Sequence, residues 1–176
     1  MSAPTEETSI TIAHRARGDF AQDPQTRSWI LSPGVPEPHP AQIIRYTQLE
    51  IARLRRLPHG WDGGRGVPLH PALANVAFNV VRALTTRSGL ATPQFSPSPD
   101  GGLDIIWLVG GNRLTASVDL EEISLYGTRA DGRDAFPRFG CRWFELQPPE
   151  LEVAIKEAGR FLDEISTSIA HQLPVL

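Results

Sequence analysis

Cysteine is almost absent: Cys141 is the only one among 176 residues. An internal disulfide is thereby excluded, and so is a structural zinc held by paired thiolates, which removes secreted disulfide scaffolds and zinc ribbons. Lysine is nearly as scarce, since 16 of the 17 basic residues are arginine and only Lys156 is lysine. Long apolar runs are missing as well. The longest, Ile105-Ile106-Trp107-Leu108-Val109, falls far short of the ~18 residues that suggest a membrane span. No apolar stretch follows basic residues at the start, as an export signal would require. A net charge of −3 and a pI near 5.9 supply no overall field that would hold a polyanion. The expectation is a cytoplasmic chain with no membrane partner.

Proline is plentiful where folding chemistry is poor. Pro4, Pro24, Pro33, Pro36, Pro38 and Pro40 fall within the first 40 residues among Ser, Thr, Gln and Glu, a composition with little to bury. Residues 1–39 therefore read as a Pro-rich N-terminal arm, extended or partly disordered. Within it Ser9 to His14 alternates apolar and polar residues as an added strand would, placing Ile10 and Ile12 on one side. Trp29 forms a second apolar knot with Ile30 and Leu31. These side chains are candidates for docking on a partner or on the chain's own core.

The compact part, residues 40–174, reads as a single domain. Ile43, Thr47, Ile51 and Leu54 recur at helical spacing and predict a helix from Ala41 to Leu57, ended by Pro58. Pro71 opens a second helix with Leu73, Val76, Ala77, Val80 and Leu84 on one face, stopped by Ser88-Gly89. After Pro93 the period changes to two. Phe95 begins a strand that turns at Ser98-Pro99-Asp100-Gly101-Gly102, Leu103 to Val109 returns, and Gly110-Gly111-Asn112 turns again. Arg113 to Leu120 places Leu114, Ala116, Val118 and Leu120 on a buried face, and Ile123, Leu125 and Gly127 continue the pattern. Thr128 to Phe144 is less regular, anchored by Phe136, Phe139, Trp143 and Phe144. Pro148-Pro149 opens a final helix with Leu151, Ile155, Ala158, Leu162, Ile165 and Ile169 inward. Glu150, Glu157, Arg160 and Glu164 face outward. The expected class is α+β: an antiparallel β-meander of about four strands, packed on one face by three amphipathic helices.

Convergent catalytic chemistry is hard to find. Cys141 has no base near it in sequence, and His14, His39, His59, His70 and His171 show neither metal-ligand nor triad spacing. The segment His59 to Pro68 is dense in glycine, but a helix rather than a strand precedes it and no Gly-Lys-Ser/Thr follows, so it does not read as a phosphate loop. In the structural reading, Trp61 anchors the loop and Asp62 accepts hydrogen bonds from turn amides; in the functional one, Trp61, Asp62 and Arg65 face a ligand, with His59 as a base near Asp100 or Glu121. Arg45, Arg53 and Arg56, with Arg55 beside them, form a basic strip on the first helix that Glu50 interrupts. Arginine is also enriched at protein interfaces.

The run Leu54-Arg55-Arg56-Leu57-Pro58-His59-Gly60-Trp61-Asp62-Gly63, followed by a Pro-led helix and then by Pro93 through Asp100-Gly101-Gly102 to Trp107, resembles a widespread set of small bacterial proteins. These share a Leu-Pro-x-x-Trp-Asp-Gly loop and a Pro…Asp-Gly-Gly…Trp hairpin. The resemblance covers Leu54 to Leu125. It implies no established activity, and suggests an association with toxin–antitoxin, defence or mobile-element genes. The expected function is a non-catalytic protein-interaction module, antitoxin-like or immunity-like, that binds and masks another bacterial protein. The alternatives are a small enzyme or ligand-binding domain at the Trp61-Asp62 loop and an arginine-dependent nucleic-acid binder, with a homodimer as a further association. No catalytic residue, metal ligand or cofactor is assigned.

Overall fold

The computed structural model describes residues 40–88, 92–142, 145 and 148–170, without side chains at 86–88, 148 and 168–170. Ile10, Ile12 and Trp29 lie outside these residues, as do His14, His39, His171, Trp143 and Phe144. The described residues fall in one unit of the chain, Pro36–Leu176.

Helix α1 (Pro40–Leu54) buries Ile43, Thr47, Ile51 and Leu54, the stripe its spacing predicts. It ends three residues earlier than expected. Pro58 disfavours helical geometry at Leu57, and the chain tightens beforehand, with Arg56 N donating to Arg53 O (3.0 Å) and Leu57 N to Leu54 O (3.4 Å). Helix α2 (Pro71–Ser88) starts on its proline, where the missing N–H costs nothing. His70 precedes it and caps it, accepting from Ala72 N at Nδ1 (3.3 Å).

Five antiparallel strands follow: β1 (Gln94–Pro97), β2 (Leu103–Val109), β3 (Asn112–Val118), β4 (Glu122–Thr128) and β5 (Phe139–Arg142). They pair in chain order. The β2–β3 turn has positive φ at both Gly110 (56°) and Gly111 (83°), as a two-residue hairpin requires. Strand β5 exceeds the expected four because it is only four residues long, Phe-Gly-Cys-Arg, with no fully buried position to reveal a period. Leu120 was expected on the inner face, yet β3 stops at Val118 and Leu120 is exposed. Asp119 causes the stop: its carboxylate accepts from Glu121 N and Glu122 N, both at 2.7 Å, closing a tight turn.

Ile105, Ala116, Leu125 and Phe139 stand in register across β2 to β5 on the inner face. Helices α2 and α3 (Pro148–Ala170) lie on this face and on each other, while α1 packs mainly against α2. Tyr46 of α1 also meets Phe95 of β1, ring centres 5.9 Å apart. Trp107, 1 % exposed, is the largest fully buried side chain. Ala74 and Ala77 of α2 and Ala154 and Ala158 of α3 are buried, and their small side chains allow the layers to approach closely. Each fully buried Leu or Ile adds about 1.5–3 kcal/mol.

The far end of α3 is clamped to the segment after β4. Arg129 donates to both carboxylate oxygens of Glu164 (2.7 and 3.0 Å) and lies over the Phe161 ring, 5.5 Å from its centre. Glu164, expected on a purely solvated face, is thus a tether. Gly127 leaves room for this contact, since a Cβ there would lie 2.7 Å from Phe136 Cε1 and 3.0 Å from Phe161 Cδ1.

Two buried hydroxyls, Thr85 Oγ1 and Ser166 Oγ, find no hydrogen-bond partner among the described residues. By contrast, buried Thr47 Oγ1 donates to Ile43 O at 2.8 Å. An unsatisfied buried hydroxyl opposes folding. Thr85→Val, which keeps the shape and removes the hydroxyl, is expected to raise the unfolding free energy by about 1 kcal/mol, measured by urea denaturation; a decrease would show that Oγ1 is bonded in solution.

Candidate functional site

The glycine-dense loop between α1 and α2 is built from its own polar groups. Asp62 Oδ1 accepts from Gly64 N (2.9 Å) and Gly66 N (2.8 Å). Gly60 N donates to Gly66 O (2.6 Å), and Trp61 Nε1 donates to Val67 O (3.0 Å). The half-buried indole therefore closes the loop across its neck. Gly66 is buried beneath both side chains, and a Cβ on it would lie 2.8 Å from Asp62 Oδ1 and 2.8 Å from Trp61 Nε1. Only glycine fits there.

The closed loop is then fastened to its surroundings by three backbone hydrogen bonds. Val67 N donates to Pro99 O (2.9 Å), His70 N to Gly101 O (2.9 Å) and Leu69 N to Leu54 O (3.2 Å). The first two acceptors belong to the β1–β2 hairpin. Gly101 has φ of +88°, and a Cβ there would press on Val67 Cγ2 at 3.1 Å. Asp100 holds the hairpin in shape: the Ser98 hydroxyl and then Gly102 N keep its carboxyl below the usual carboxylate range. The amides of Gly66 and Gly64 do the same for Asp62. The Trp-Asp-Gly loop and the Asp-Gly-Gly hairpin, two separate motifs in sequence, are one hydrogen-bonded unit.

Between them lies a half-open cleft of about 340 Å³. Arg55, His59, His70 and Asp100 supply its polar lining, and Val67, Leu69 and the exposed Leu120 supply apolar walls. His70 Nδ1 accepts from Ala72 N at the start of α2, which in the neutral ring leaves Nε2 as the donor. Of the residues singled out from sequence, His59 and Asp100 share this cleft, whereas Trp61, Asp62, Arg65 and Glu121 do not line it. Arg55, His70 and Leu120 line it with them. Arg55 was noticed only as part of a basic strip, and no local pattern shows that the turn after α1 delivers it here.

The basic strip itself is interrupted. Arg53 is paired with Glu50 at 2.9 Å, Arg45 is exposed on α1, and Arg55 and Arg56 lie beyond the helix in the following turn. Cys141 is half-buried on β5. Among the described residues no cluster of three or more His, Cys, Asp or Glu is placed to hold a metal ion, and no helix is long and apolar enough to cross a membrane.

Trp61→Ala removes a half-buried ring and the bond to Val67 O, and is expected to cost about 2 kcal/mol in urea unfolding, below the 3–5 kcal/mol of a fully buried indole. The depressed carboxyls of Asp62 and Asp100 stabilise the fold fully above the unfolded-state value of about 4, and that contribution is lost as pH falls through the lower folded values. Melting temperature should therefore drop on acidification below about pH 4. Asp62→Asn should flatten that drop, and an unchanged acid limb would remove Asp62 from the account. No protein-family model, curated protein or solved structure matches the chain.

Proposed function

We propose that the chain is a non-catalytic protein-interaction module, antitoxin-like or immunity-like, which binds and masks another bacterial protein. The observation that carries this reading is the one-sided cover of the sheet. All three helices share the core with the inner face. On the opposite face, half-buried Ile106 and Tyr126 flank the buried Thr115 in a row across β2, β3 and β4, with Leu108, 56 % exposed, beside them. Arg113 donates to Thr115 Oγ1 (3.0 Å), and Arg138 lies 5.1 Å above the Tyr126 ring. Aromatic, aliphatic and arginine side chains grouped this way match the composition of interface cores.

The sheet edge adds a second element. Strand β1 pairs with β2 only as far as Ile106, so β2 from Trp107 to Val109 has no outer strand among the described residues. Such an edge is open to pairing with an extended segment. The motif residues offer less to an enzyme, since Trp61 and Asp62 are engaged in holding the loop. A nucleic-acid role loses its best feature with Arg53 tied to Glu50. The loop–hairpin contact makes the residues behind the resemblance a structural unit.

Leu108→Glu places a charge on the exposed face and should change stability by less than about 0.5 kcal/mol. In affinity isolation from native lysate, the full-length chain is expected to retain one stoichiometric protein partner. Leu108→Glu should lose it, while Leu49→Glu on α1 keeps it. A chain recovered alone, or equal capture by both variants, would overturn the assignment.

A further inference from the structure

The cleft between loop and hairpin carries an inference independent of the partner reading. It brings together two opposite charges that do not meet. Arg55 and Asp100 both line it, yet no ion pair joins them, and Arg55 has no ion-pair partner among the described residues. Asp100 is turned toward Ser98 and Gly102, and the exposed Arg55 stands on the turn after α1. Opposite charges that share a concavity without pairing are bridged best by a molecule bearing both signs.

The rest of the lining narrows the choice. His70 presents an Nε2–H donor, because its Nδ1 is engaged at the start of α2. Val67, Leu69 and Leu120 offer an apolar wall. Leu120 is 54 % exposed on a turn that Asp119 closes from within. A volume of about 340 Å³ lies at the small end of ligand pockets. The walls are preorganised, since the bonds from Val67 N to Pro99 O and from His70 N to Gly101 O set them before any ligand arrives.

We propose that this cleft binds a free α-amino acid with an apolar side chain. The carboxylate lies on the Arg55 guanidinium, whose planar fork matches it in bidentate fashion, and accepts from His70 Nε2. The ammonium donates to the Asp100 carboxylate. The side chain rests on Val67, Leu69 and Leu120.

The test is a titration of the ¹⁵N-labelled full-length chain with L-leucine to millimolar concentration, followed by amide shifts. Saturable shifts are expected at Val67, His70 and Gly101. Two truncated probes separate the charges: 4-methylpentanoate lacks the ammonium and isopentylamine lacks the carboxylate, and each should bind at least about tenfold more weakly. Arg55→Gln lies on an exposed side chain and should leave the spectrum folded while weakening L-leucine by about tenfold. Asp100→Asn keeps an acceptor for Gly102 N and should weaken L-leucine and isopentylamine but not 4-methylpentanoate. Shifts that stay linear, probes that bind alike, or an Arg55→Gln variant with unchanged affinity would overturn the proposal.

Discussion

Two backbone hydrogen bonds, from Val67 N to Pro99 O and from His70 N to Gly101 O, join the helical half of the chain to its sheet half. Much of the remaining architecture depends on them. They set where α2 begins, because His70 is both the residue bonded to the hairpin and the cap of the helix. They also set the position of β1 and β2, whose connecting turn supplies the two acceptors. Backbone groups paired this way carry no side-chain identity. The constraint falls instead on the neighbours that allow the approach: Gly66 under Trp61, and Gly101 against Val67.

That arrangement explains what was legible in the sequence. Helical spacing identified the buried stripe of α1, and alternation identified the inner faces of β3 and β4, because one-sided burial imposes a period on the chain. The turns at Gly101 and Gly110-Gly111 were visible because positive φ selects glycine. Strand β5 was not, since its four residues are half-buried or exposed and leave no period to read. Leu120 misled for a related reason: it continues an alternation that Asp119 ends through its side chain, and alternation does not register a carboxylate folded onto the next two amides.

The candidate site was only partly legible. Asp62 and Trp61 stood out as residues of chemical interest, and their partners turn out to be the amides and carbonyl of their own loop. His59 and Asp100 do share a cleft, but Arg55 joins them only because α1 stops at Leu54 and the turn beyond it swings toward the hairpin. Helix termini are set by local hydrogen bonding that periodicity resolves poorly. A site made from the ends of elements is therefore harder to read from sequence than one made from their faces.

The order of the sheet has a consequence in time. Strands β1 to β5 lie side by side in chain order, so the first three ladders close short connections and little chain entropy is lost at each of those steps. The helices bring more distant parts of the chain together, with α2 and α3 arriving from opposite sides of the meander in sequence to share one face. A nascent chain leaving the ribosome has its meander complete before α3 exists, and the inner face with Trp107 then stays incompletely covered until the last helix emerges. The Arg129–Glu164 clasp, on the segment that follows β4, catches that helix as it docks. Synthesis from the N-terminus thus places the docking of α3 after the meander that it covers.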